Sequence, residues 1–124
     1  MAIRKLEELK VWQEARKLRQ MVYEMVKTFP KEEKYNLSKH LKECARNVPG
    51  NIAEGFGRYH FQESIQFYRI ARGSLNEIKS DIYCAFDETY IDETKLKEAI
   101  GQVELVAKML NGIISSTKNL KKNP

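Results

Sequence analysis

Apolar residues recur every three or four positions along almost the whole of this chain, the spacing of one face of an α-helix. Leu6, Leu9, Trp12, Ala15, Leu18, Val22, Met25 and Phe29 make a first stripe, which Pro30 and the charged KEEK stretch end. A second runs Leu37, Leu41, Cys44, Val48, Ile52 and Phe56, with Gly55 and Gly57 closing it. Pro49 lacks a backbone donor and crowds the preceding turn, so a kink or a restart is expected near residues 47–50. The third stripe is Phe61, Ile65, Tyr68, Leu75, Ile78, Ile82 and Phe86; Arg72 is its one polar step, where Ala71 shares the apolar face. Asp92 is placed to cap a fourth helix through its side-chain oxygen. That helix carries Leu96, Ile100, Val103, Val106, Leu110, Ile113 and Thr117. The helices expected are thus roughly 5–29, 35–57, 61–87 and 92–119. Helices of about 25 residues are close to 37 Å long. Four of them in matched lengths, joined by short loops, make an all-α, antiparallel, up-and-down four-helix bundle with a Pro/Gly kink in helix two.

Composition narrows the alternatives. The 124 residues are one domain's worth of chain, read as a single unit over 1–124. Hydrophobic residues at 42% allow a packed core, and six glycines with three prolines are too few for a turn-rich β fold. No apolar run approaches the roughly 20 residues a membrane span needs. The opening MAIRKLEELK lacks the apolar stretch of a secretory signal, so a cytoplasmic protein without membrane contact is expected. The formal charge of +5 is concentrated: residues 1–46 hold 12 Lys and Arg against 7 Asp and Glu, while the remainder balances. A basic N-terminal third points to an acidic partner, of which nucleic acid is the commonest.

Helix bundles often hold metals, and the di-iron type needs Glu-x-x-His on two helices. Leu37 stands three residues before His40 and Gly57 three before His60, so that motif is missing. Two histidines and two cysteines show no zinc-ligand spacing, and neither a metal nor another cofactor is expected. His40 and His60 are expected on the surface or in a loop. Cys44 and Cys84 lie on or beside apolar stripes as small hydrophobes, with no base local in sequence to activate either. GFGR has the wrong spacing for a phosphate loop. No catalytic constellation emerges, and an enzyme is not expected.

Residues 47–59, NVPGNIAEGFGRY, depart from ordinary helix composition. Asn51 follows the Pro-Gly step, where its side chain can reach backbone groups that the proline frees. Glu54 and Arg58 stand four apart, as a helical ion pair requires. The segment reads either as a structural corner or as a partner-facing elbow presenting Arg58, Tyr59 and His60.

KLEELKVWQEARKL, TFPKEEKYNLSKHL, NVPGNIAEGFGR and ARGSLNEIKSDI, in this order, resemble the bacterial 23S rRNA intervening-sequence protein family, also called the four helix bundle protein family. The most specific piece is Pro49 with Asn51, Ile52, Ala53, Glu54 and Gly55, followed by Arg58. Trp12-Gln13-x-Ala15 and Gly73-Ser74-Leu75 support it. The chain departs from the pattern at Asn36, where the family usually has glycine, and at Lys42-Glu43, where it often has two basic residues. The resemblance implies a homo-oligomeric bundle, a ring-like pentamer, without established enzymatic activity. It also implies an RNA association, since the family is similar to the retroelement accessory bundles that bind RNA and a reverse transcriptase.

Affinity for RNA phosphates comes from Lys and Arg and weakens steeply with salt. Lys39, Lys42 and Arg46 are spaced by three and four on helix two, and with Arg58 they form the expected RNA-facing patch. Arg16 and Arg19 make a second basic face on helix one. The competing expectation is an oligomeric scaffold for a protein partner, using Tyr23, Tyr35, Tyr59 and Tyr90 as exposed aromatic contacts.

Overall fold

The computed structural model describes residues 5–122; residues 1–4 and 123–124, the ends of the expected 1–124 domain and of its basic tail, lie outside the described residues. The helices are α1 Lys10–Val26, α2 Leu37–Phe56, α3 Phe61–Asp87 and α4 Glu93–Lys122, with 3-10 turns at Leu6–Glu8 and Lys31–Glu33. No strand occurs among the described residues. Packing is cyclic: α1 on α2, α2 on α3, α3 on α4, and α4 back on α1. Neighbours run antiparallel. His40 meets Asp81 while Gly55 meets Tyr68 across α2 and α3, and Arg72 reaches Asn111 while Lys79 reaches Glu104 across α3 and α4.

The apolar stripes supply the core. Leu18, Val22, Leu41, Ile52, Leu75, Ile78, Ile82 and Leu110 are fully buried, each such side chain contributing roughly 1.5–3 kcal/mol by leaving water. Ala71 takes the buried place beside Arg72, whose guanidinium donates to Asn111 Oδ1 at 3.0 Å. Asp92 Oδ1 accepts the Lys95 amide at 2.8 Å and caps α4. No helix among the described residues is long and apolar enough to cross a membrane.

Four expectations need correction. Helix one does not run unbroken over 5–29: Leu9 is extended (φ −77°, ψ 114°) and separates the Leu6–Glu8 turn from α1. The break lets Leu9 bury its side chain, and Gln13 Nε2 bridges it by donating to the Glu7 carbonyl at 2.6 Å. The helices are consequently unequal, from 17 residues in α1 to 30 in α4. Of the kink or restart expected at Pro49, the restart does not occur: Pro49 is buried inside one continuous run. Proline frees the Ala45 carbonyl from its usual donor; Asn51 Nδ2 instead donates to the Asn47 carbonyl at 2.8 Å. Finally, Phe61 and Cys84 stand exposed rather than on the buried face.

α3 ends in a Schellman arrangement, with the Tyr90 amide donating to Ala85 O and the Thr89 amide to Phe86 O. The left-handed position falls on Thr89 (φ 63°), a β-branched residue where glycine is usual.

Gly55 is dictated by packing. A Cβ there would stand 2.6 Å from Tyr68 Cε1 and 3.0 Å from the Ser64 carbonyl oxygen, and neither the buried ring nor the backbone can retreat. Gly55→Ala is therefore expected to destabilise the bundle by about 1–3 kcal/mol despite alanine's better helix propensity. Gly50 meets nothing within 4 Å, so Gly50→Ala gains about 0.5–1 kcal/mol. Thr89→Gly relieves the left-handed strain and gains on the order of 1 kcal/mol. Urea midpoints of the three variants check the opposite signs; a Gly55→Ala protein as stable as the wild type would contradict the packing.

Candidate nucleic-acid interface

Two of the basic groups expected from sequence meet across the α1–α2 seam. Tyr23 of α1 is half-buried there, with Arg19 Cζ 5.3 Å from its ring centroid and Lys42 Nζ of α2 5.4 Å from it. The ring face attracts both cations without neutralising them. About two turns before Tyr23 on α1, Arg16 lies over Trp12 at 5.8 Å. Arg46 is exposed one turn beyond Lys42 on α2. Among the described residues, Arg16, Arg19, Lys42 and Arg46 make no ion pair within 4.0 Å. Lys39 lies only loosely against Glu43, at 4.0 Å.

Arg58 stands apart from this face. It follows the C-terminal end of α2, about 18 Å of helix rise beyond Arg46. Its guanidinium is bonded to Glu54 at 2.9 Å and lies over Phe67 at 4.9 Å. The rest of the Pro49–Gly55 motif serves packing: Pro49, Ile52 and Gly55 are buried, Ala53 is half-buried, and Asn51 bonds its own helix. The segment is a structural corner whose tip, Arg58 to His60, faces solvent, Tyr59 being 96% exposed.

Sequence reasoning missed the lysines that extend the basic face. A groove of about 300 Å³ opens at the same end of the seam, lined by Tyr23, Lys27, Lys31, Lys34, Ser38 and Lys42 among others. Lys31 and Lys34 come from the turn between α1 and α2, where no helical period draws attention to them; their signal was the KEEK run itself. Tyr90 holds this turn in place. Its hydroxyl donates to Glu33 Oε2 at 2.7 Å, and its ring packs on Phe29 at 5.3 Å. Tyr90 and Tyr23 are thus structural members rather than exposed contacts, whereas Tyr35 and Tyr59 are exposed as expected.

A second cluster lies on the other flank of α2. His40 Nδ1 pairs with Asp81 Oδ2, and His40 Nε2 lies 3.1 Å from Glu77 Oε2. Cys44 Sγ is 3.5 Å from His40 Nε2 and 3.4 Å from Glu77 Oε2. A base therefore does stand beside Cys44, brought there by the helical spacing of His40 and Cys44. It does not activate the thiol: burial, reinforced by the Glu77 carboxylate, pushes Cys44 up to about 12. The bond to Asp81 raises the His40 imidazole above its ordinary value, against the opposing effect of burial. A reactive thiol needs the reverse.

A family model described as 23S rRNA-intervening sequence protein matches residues 7–112. A crystal structure of a protein of unknown function, from the S23 ribosomal protein family of Bacteroides thetaiotaomicron, superposes with a TM-score of 0.75 at 17% identity. The match covers 84% of this chain and 97% of that one. No curated protein matches the chain.

The Tyr90–Glu33 bond has a pH signature. Donating that bond to the Glu33 carboxylate, with the negative field of Glu33 around it, pushes the Tyr90 hydroxyl up to about 12. A group raised on folding adds stability that is fully present below its unfolded value, near 10, and lost as pH rises through the folded one. Tyr90, together with the buried Tyr68, whose hydroxyl burial also raises, is expected to ionise late in an absorbance titration, and Tyr90→Phe should reduce the amplitude of that final step. A Tyr90→Phe titration with the same final step would refute the assignment.

Proposed function

Because the chain belongs to the 23S rRNA-intervening sequence protein family, we propose that it is a non-catalytic, RNA-associated bundle that engages structured RNA through the face shared by α1 and α2. The carrying observation is the pair of cations gathered on Tyr23, Arg19 from one helix and Lys42 from the next. Arg46, Arg16 and the turn lysines Lys31 and Lys34 continue the positive surface on either side. A-form RNA is recognised mainly through its shape and backbone, and a ridge of outward cations supplies phosphate neutralisation without base reading. Lys39 adds to this face. Arg58, already bonded to Glu54, is a peripheral member.

The reading includes self-association in the cytoplasm, as a homo-oligomer for which the family resemblance implies five copies. Exposed Tyr59, Phe61 and Ile70 near the α2–α3 corner supply apolar surface for a second copy. Repetition of a modest patch around a ring raises affinity by multivalency. The same exposed aromatics favour the second reading, an oligomeric scaffold for a protein partner.

Each lost phosphate contact lowers the slope of log K against log salt by roughly 0.7–0.9. Reversing Arg19, Lys39, Lys42 and Arg46 to Glu is expected to flatten that slope by about 3 for an rRNA-insertion stem-loop. Arg58→Glu should move it by less than about 1. Filter binding between low and near-physiological salt, with melting curves to confirm folding, reads both. Unchanged affinity and slope in the fourfold variant would sink the RNA reading. Recovery of one defined protein after nuclease treatment would then support the scaffold.

A further inference from the structure

We propose that His40, Cys44 and Glu77 form a zinc site bridging α2 and α3, with Asp81 as the carboxylate that orients the imidazole. The three donor atoms lie within 4.8 Å of one another. Tetrahedral zinc, with Zn–S about 2.3 Å and Zn–N or Zn–O about 2.1 Å, has donor-to-donor edges of roughly 3.4–3.6 Å. The corresponding separations here are 3.5 Å from Sγ to Nε2, 3.4 Å from Sγ to Oε2, and 3.1 Å from Nε2 to Oε2. One ion can therefore touch all three after adjustments of a few tenths of an ångström.

The surroundings fit the same ligand. Asp81 engages Nδ1, the ring nitrogen turned away from the cluster. That leaves Nε2 to present its lone pair, the carboxylate–histidine–zinc arrangement in which a second carboxylate fixes the tautomer. The thiol and the Glu77 carboxylate are awkward neighbours without a cation, because a thiolate there would face a second negative charge. A divalent ion turns both charges into attractions and deprotonates a bound thiol outright. Imidazole with thiolate selects zinc-like ions over magnesium or calcium. Access is open, since the His40 and Glu77 side chains are 47% and 58% exposed while Cys44 closes the buried side. Three protein donors leave one tetrahedral position for water.

Sequence spacing held the signal in another form. His40 and Cys44 are four apart on one helix, and Glu77 and Asp81 are four apart on the next. A search for Glu-x-x-His or paired cysteines passes over a site assembled from two such steps.

The test is titration of the reduced full-length protein with Zn²⁺ and with Co²⁺. One zinc per chain is expected, with a thiolate-to-cobalt charge-transfer band and a melting temperature raised by roughly 10 °C at free zinc about 100 times Kd. Cys44→Ala and His40→Gln should each abolish the band, while Cys84→Ser keeps it. Asp81→Asn should retain the band and weaken binding about 10–100-fold. Mg²⁺ should produce no shift. Absence of a thiolate band in the wild type, or binding that survives both Cys44→Ala and His40→Gln, would overturn the site. Because variants folded without metal show native helical dichroism, a failed fold is distinguished from a failed site.

Discussion

The close approach of α2 to α3 at Gly55 is the constraint on which most of this bundle depends. Tyr68 lies where a side chain at position 55 would have to be, so the two helices can seat fully only with a bare backbone at that point. Packed interiors do not slide continuously. Once this contact is made, the antiparallel register follows along both helices, and residues some four turns away are brought opposite one another. The His40–Asp81 and Cys44–Glu77 contacts are products of that register. So is the long, exposed outer face of α2, which leaves its cations directed away from the core.

The two flanks of α2 carry opposite chemistry. Towards α1 the seam gathers cations around an aromatic ring, and among the described residues neither Arg19 nor Lys42 forms an ion pair within 4.0 Å. Towards α3 it gathers a histidine, a thiol and two carboxylates. A net charge of +5 describes neither flank. Polyanion attraction depends on the local arrangement of charge rather than on its total, and some of the acidic residues are engaged in helical pairs such as Glu54–Arg58 and Glu93–Lys97.

Much of the candidate interface was legible in the order of residues. Lys39, Lys42 and Arg46 share a helical face because their spacing follows the period, and Arg16 with Arg19 does likewise. Their union at Tyr23 was not legible, since it requires knowing which side of α1 lies against α2. Arg58 illustrates the converse. Its distance along the chain looked compatible with one patch, but it follows the end of α2 and is held by Glu54 and Phe67. The Leu9 break escaped notice because an extended residue between two helical turns keeps the apolar spacing intact.

Periodicity, proline placement and the Asp92 cap determined four helices, their order and nearly every core position, because these depend on neighbours within a turn or two. The tertiary structure decided what those helices place side by side. It brought Glu77 and Asp81 of α3 to His40 and Cys44, set Lys42 of α2 over Tyr23 of α1, and turned Tyr90 into the anchor of the turn between α1 and α2. These pairings join residues as far as 57 positions apart. Their register is set by side-chain volume at a few buried contacts, Gly55 against Tyr68 foremost, and a one-dimensional period contains no information about that fit.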